Sequence, residues 1–456
     1  MRAGVAAGHP ATCEAGLEVL EDGGSAADAA VAAALASCVA ETVMTGLLGG
    51  GHAIHWDAAR GVVENLDCFV AVPTGSGAEP VELAVPFGTE LVHYAVGPAS
   101  FGVPGVPAGL GVLWRARGRL PWARLFEPAL RLAAQGVPMP PAHVRCLEML
   151  APVLTMHEGE RIYSPGGPLL REGERLQQPG LVRALELLRD EGPASAYTGT
   201  IADAVVGLCE ERGGLVTRDD LERYEPRWSD PVRVRYAGTE FCTRPGLSHV
   251  PETLARLGPA RRNPVRTLLT ALDQHEGPET HTTNLVAVDG DGNACVLTTS
   301  LGLGSGDYVP GLDLHLNSML GEADLVRSEL VPGKRMESMM APSIALDETG
   351  PVLAIGAAGG TRLRTALVAV TAAILDEGVE PQAAVERPRF HPVGRLLNAE
   401  PGLPPETLEA LAREGWSVRV WPDRHHYFGG VSAIGRTGSA ADPRRSGAAA
   451  ELGRDP

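Results

Sequence analysis

Thr280-His-Thr-Thr-Asn-Leu-Val-Ala-Val-Asp289 sets two threonines ahead of a short apolar run and closes the run with an acid. Leu285 to Val288 predicts a buried strand. Asp289-Gly-Asp-Gly-Asn293 predicts a turn into a second strand from Cys295 to Thr299. A threonine hydroxyl is a poor nucleophile unless a base stands beside it. A threonine that opens a chain carries its own base, because an α-amine titrates near about 8, against about 10 for a lysine. Thr282, freed by a cut after His281, would therefore need no triad. Threonines ahead of a strand are also ordinary β-formers, and on these residues alone that reading is the stronger.

Downstream, Ser343 to Leu346 and Val352 to Ile355 read as further buried strands, and 361–376 and 405–414 as helices. Between the second of these strands and its helix lies Ala357-Ala-Gly-Gly-Thr-Arg-Leu-Arg364. Gly359 and Gly360 could present backbone N–H groups to an oxyanion at the helix start, or could simply make a tight turn. The Gly-, Ala- and Arg-rich tail from Gly438 predicts fraying.

Upstream, residues 11–22 predict a helix stopped by Gly23-Gly24, and Ser25 with Asp28 resembles a capping box for the alanine-rich helix that follows. Gly49-Gly-Gly51 leads into a strand over 52–56, pressed against other backbone, and Asp57 to Gly61 turns it into a second strand over 62–70. The chain from Trp114 to about Gly213 predicts helices, with 181–189 the clearest. Residues 232–243 return to strand, and the Pro- and Arg-rich 244–264 predicts a loop.

A net charge of −17 argues against nucleic-acid and anionic-membrane partners, both of which need a basic face. Only 4% of the 456 residues are aromatic while 56 are glycine, so the core must be built from Ala, Val and Leu with close backbone approaches. Seven widely spaced cysteines without a CxxC pair fit free thiols in a reducing compartment. Cys68 reads as a small core residue before it reads as a reactive thiol. No apolar run follows a positive start at the N-terminus, which predicts the cytoplasm. There is no HExxH, no P-loop lysine behind Leu301-Gly-Leu-Gly-Ser-Gly306, and no G-x-S-x-G elbow; His425-His426 reads as a surface pair. No metal or cofactor is expected.

Several segments, taken in order, resemble the γ-glutamyltranspeptidase family of N-terminal-nucleophile hydrolases. They include His9-Pro10, Gly23-Gly-Ser-Ala-Ala-Asp-Ala-Ala30, Gly46 to Gly51 and Val103-Pro-Gly-Val-Pro-Ala-Gly109. Gly213-Gly-Leu-Val-Thr-Arg-Asp-Asp-Leu221, Asp289 to Asn293, Met339-Met-Ala-Pro342, Gly359-Gly-Thr-Arg362, Arg387-Pro-Arg-Phe-His391 and Asp442-Pro-Arg444 continue the series. The resemblance implies an α+β fold, a four-layer αββα sandwich, made as one precursor that cuts itself before Thr282. Segments 1–281 and 282–456 would stay together as a two-subunit core. Thr282 would carry the acyl group of a small amide, γ-glutamyl or related, to water or an amine. By position Ser300 would hydrogen-bond the nucleophile and Gly359 and Gly360 would form the oxyanion hole. Asn317, Ser318, Glu322 and Ser338 would line the acyl pocket.

Three positions depart from the family pattern. Phe69 stands where the arginine that grips the glutamate α-carboxylate is expected. Leu320-Gly321 stands where the acid for its ammonium is expected, leaving Glu322 as the nearest carboxylate. Glu337 replaces the first serine of a pair. The segment 237–280 is also short. Alternatives to a γ-glutamyl enzyme are a relative repurposed for another amide or a C–C bond, and a scaffold that never cuts itself.

Overall fold

A computed structural model describes residues 1–87, 90–259, 264–272, 282–323, 325–326 and 329–453. His281 and most of the segment just before it lie outside the described residues.

Two mainly antiparallel sheets carry the architecture. The first runs in the order Ala448–Glu451, Gly4–Ala7, Thr283–Val288, Ala294–Ser300, Gly50–Asp57, Val62–Cys68, Arg227–Ser229. The second runs Ser439–Ala441, Gly430–Gly435, Gly350–Ala358, Ser343–Asp347, Thr239–Thr243, Val232–Tyr236. They face each other across a thin apolar layer that includes Ala6, Ile54, Val286, Val296, Ile344 and Ile434. Helices Pro10–Glu21 and Ala26–Ala40 cover the outside of the first sheet, and Arg362–Leu375 covers the second. Each outer interface has its own core. The result is an α+β αββα sandwich.

Small residues make the layers fit. All fifteen residues of Ala26–Ala40 are buried, and an alanine surface lets the helix lie close on the strands beneath. Ser25 and Asp28 form the expected capping box, and Asp28 also accepts from the N–H groups of Arg119 and Leu120 at 2.7 and 3.2 Å. At the glycine-rich entry a Cβ on Gly49 would meet the Ser300 carbonyl at 2.3 Å, and one on Gly51 the Thr298 carbonyl at 2.7 Å. Glycine is needed there for strand Gly50–Asp57 to come so close to its neighbour.

Four expectations are corrected. The tail does not fray: Ser439–Ala441 and Ala448–Glu451 each close the edge of a sheet. The stretch 244–264 contains a helix, Val250–Arg256. The segment 232–243 is a hairpin of two strands, turned at Ala237 and Gly238, both at positive φ. His426 is buried, so the histidine pair is not a surface pair. All seven cysteines are buried and free, and burial pushes the Cys68 thiol up to about 12, which leaves it an inert core group. No helix among the described residues is long and apolar enough to cross a membrane.

Ala32 is fully buried in the close-packed helix. Ala32→Leu is expected to cost about 1–3 kcal/mol by overpacking. A lowered denaturant midpoint checks this, and an unchanged midpoint would contradict it.

Candidate active site

Thr282 immediately precedes strand Thr283–Val288 and is 4% exposed. Side chains alternate along a strand. Thr283, Leu285 and Ala287 turn toward the helices, where the Thr283 hydroxyl meets Glu41. Val286 and Val288 turn toward the second sheet, and Asn284 lies against Gly356 of that sheet. The alternation puts Thr282 on the same side as Asn284, between the sheets. Thr283 pairs with Thr299, so one further step of the register brings Thr282 opposite Ser300. Ser300 Oγ accepts from the Gly302 N–H at 2.9 Å, which fixes the corner where its strand ends.

Gly359 and Gly360 join strand Gly350–Ala358 to helix Arg362–Leu375 at φ +130° and +55°. Their carbonyls accept from the N–H groups of Arg362 and Leu363, both at 3.1 Å, which starts the helix. Neither glycine N–H meets a protein acceptor among the described residues. The turn thus offers unspent donors at a helix N-terminus. A Cβ on Gly359 would lie 2.8 Å from Gly429 Cα, so only glycine fits.

Thr282, Ser300, Gly360, Ser338 and Phe69 line one small chamber of about 10 Å³. Among the described residues its remaining walls are Met319, Leu325, Met339, Met340 and Leu363, none of them ionisable. Phe69 is held on every side. Its N–H donates to Asp67 at 2.8 Å, its carbonyl accepts from Tyr224 and Arg335, both at 2.6 Å, and its ring stacks on His52 at 5.4 Å. Burial, then Arg244 and Arg335, hold His52 well below its ordinary pKa, so the ring under Phe69 is neutral. A second cavity of about 200 Å³ shares Met339 and Gly360 with the chamber and adds the polar groups of His249, Arg364, Thr365 and His391.

Three expected pocket residues are not in the chamber wall. Asn317 is fully buried and spends its whole amide on backbone. Nδ2 donates to Leu48 and Gly102 carbonyls at 2.8 and 2.9 Å, and Oδ1 accepts from Gly102 and Met319 N–H groups at 3.2 and 3.1 Å. Ser318 Oγ donates to Glu322 at 2.8 Å, and both accept from the Leu303 N–H. Ser318 and Glu322 thus hold the glycine-rich loop after Ser300, while Asn317 ties its own turn to Leu48 and Gly102. Among the residues that sequence reading did not single out, Arg244 donates to the Ser338 carbonyl at 2.8 Å and to the Met340 carbonyl at 3.3 Å. Burial brings it down to about 10. Glu41, His143, Asp442 and Arg445 surround a second tiny chamber that also touches Thr282. Nothing in the local pattern at 244 or 41 marks either residue, because each reaches the site only through tertiary packing.

The gamma-glutamyltranspeptidase family model matches residues 12–258 and 251–452. An acylase ACY 1 proenzyme from Pseudomonas sp. (strain V22) is 28% identical, over 94% of this chain and 89% of the relative. A glutathione hydrolase proenzyme from Bacillus subtilis (strain 168) is 26% identical, over 98% of this chain and 90% of the relative. Among solved structures, cephalosporin acylase from Bacillus halodurans superimposes with a TM-score of 0.80 at 25% identity, covering 100% of this chain and 97% of that one.

Gly359→Ala is expected to destabilise the chain by about 1–3 kcal/mol through backbone strain at positive φ. Gly166→Ala, where a Cβ meets nothing within 4 Å, is expected to be neutral. Equal denaturant midpoints for the two variants would contradict this account of the turn.

Proposed function

We propose that this chain, which belongs to the gamma-glutamyltranspeptidase family, is a precursor that cuts itself between His281 and Thr282 and then works as an acyl hydrolase or transferase with Thr282 as nucleophile. The observation that carries this reading is the shared chamber. Thr282 stands at the head of a buried central strand, opposite Ser300 and beside the free N–H of the glycine turn. In the cut, Thr282 Oγ attacks the His281 carbonyl, the acyl group moves from nitrogen to oxygen, and water splits the ester. The shift breaks the C–N bond and frees the Thr282 amine, and hydrolysis of the ester releases the His281 carboxylate and restores the Thr282 hydroxyl. Each sheet contains strands from both sides of the cut, so segments 1–281 and 282–456 would remain one body.

In turnover, the freed α-amine takes the proton from Thr282 Oγ as it attacks the substrate carbonyl. The Gly359 and Gly360 N–H groups receive the developing oxyanion. The leaving amine departs with the proton, and water or a second amine then takes the acyl group from Thr282. Ser300 orients the nucleophile, and Ser338 borders the acyl group.

The acyl group need not be γ-glutamyl. A glutamyl donor brings a carboxylate and an ammonium, and a buried charge without a partner is strongly disfavoured. Phe69 and five other apolar side chains line the chamber, and among the described residues no cation lines it to grip the carboxylate. Phe69 therefore favours a second reading, a relative that acts on an uncharged acyl amide.

Intact-mass analysis of purified wild type beside Thr282→Ala tests the cut. Two fragments from wild type, the smaller starting at Thr282, and one chain from the variant are expected. An uncut wild type, or a variant that still splits there, would overturn the mechanism and favour a scaffold. The cut enzyme is expected to turn over a short uncharged acyl anilide with kcat/KM about tenfold or more above that for a γ-glutamyl anilide. The reverse preference would sink the second reading alone.

A further inference from the structure

Glu41 lies directly after helix Ala26–Ala40 and is 1% exposed. A carboxylate this deep needs hydrogen-bond donors or a countercharge. Thr12 Oγ1 donates to its Oε1 at 2.6 Å and Thr283 Oγ1 donates to its Oε2. Arg445, 5% exposed, lines the same chamber and favours the charged form. Burial still pushes the carboxyl above its ordinary value. The backbone at Glu41 is fixed too, since its carbonyl accepts from Met44 and Thr45 N–H groups at 2.7 and 3.0 Å.

Four residues on, Thr45 Oγ1 shares a hydrogen bond of 2.8 Å with Thr299 Oγ1. Thr283 and Thr299 are direct cross-strand partners. One turn of chain, 41–45, therefore holds both strands at the same rung, from the helix side. The residue before Thr283 is Thr282, and the residue after Thr299 is Ser300. The loop at Gly8 makes room for this tie: a Cβ there would lie 2.6 Å from Glu41 Oε2 and 2.9 Å from Thr283 Oγ1. The glycine turn meets the same assembly, because a Cβ on Gly359 would be 3.4 Å from Arg445 Nη2.

We infer that Glu41 and Thr45 form a two-point clamp that, through the hydroxyls of Thr283 and Thr299, positions Thr282 against Ser300 and the glycine turn. They are positioning residues, and the inference rests on the reading of Thr282 as nucleophile. A tie that served stability alone could sit on any rung of the two strands. This one sits on the rung that adjoins the reacting group. Small displacements there matter, because attack needs the hydroxyl and carbonyl in line and near contact.

The test measures the rate of precursor cutting in freshly made chain, then kcat and KM of the cut enzyme, with thermal midpoints recorded alongside. Thr283→Val keeps the shape and loses the tie, and is expected to slow cutting and lower kcat by about tenfold or more with KM within about twofold. Thr283→Ser keeps the tie and is expected to restore both rates to within about threefold of wild type. Thr12→Val removes the other hydroxyl on Glu41 but leaves the clamp, and is expected to stay within about threefold. Should Thr283→Val fail to fold, Thr45→Val probes the second point with the same expectation. Wild-type rates in Thr283→Val, or equal losses in Thr12→Val and Thr283→Val, would overturn the clamp alone. An uncut wild type would overturn the nucleophile and the clamp together.

Discussion

Strand Gly4–Ala7 and strand Ala294–Ser300 take up the backbone of Thr283–Val288 along its two edges. The alanine helix covers one of its faces and the second sheet covers the other. A strand enclosed on four sides has no freedom to slip, because a one-residue shift would turn Leu285 and Val286 each to the wrong core. The close layers that make this enclosure possible rely on residues without bulk: alanines along Ala26–Ala40, and glycines where the chain crosses at 49–51 and 356. Thr282 inherits its position from that arrangement, and so does Ser300 across the rung.

The chemistry around Thr282 divides into two unlike sides. Toward the acyl chamber the walls are apolar, with the Phe69 ring on neutral His52 and methionines that can adapt to a ligand. Behind the strand the surroundings are ionic, with Glu41, Arg445 and Asp442 buried together. Asp442 is held below its ordinary pKa by Arg389 and Arg444, despite its burial. Among the described residues the charges thus gather behind the strand, and none lines the small chamber beside Thr282 on its other side.

Much of this was legible in the sequence. The 285–288 and 295–299 strands, the capping box at Ser25, the glycine-rich strand entry and the Gly359-Gly360 turn each have a local signal that survives folding. The chamber also gathers Thr282, Ser300, Gly360, Ser338 and Phe69 from four distant stretches. What was not legible depends on partners far along the chain. Ala448–Glu451 has little strand propensity of its own and becomes a strand only because Gly4–Ala7 offers an open edge. Asn317 looked like a substrate ligand, but its amide is spent on Leu48, Gly102 and Met319. Glu41 has no local signal, and its use appears only when Thr12 and Thr283 are brought to it.

The most direct test of the central claim is to catch the acyl group on the enzyme. Purified enzyme would be mixed with an activated acyl ester, quenched in acid within the first turnover, digested and mapped by mass spectrometry. The account predicts one acyl adduct, on the hydroxyl of the peptide that begins at Thr282, absent when denatured enzyme is treated identically. Turnover with the adduct on any other residue, or with no adduct on that peptide under conditions where acyl-enzyme builds up, would contradict it.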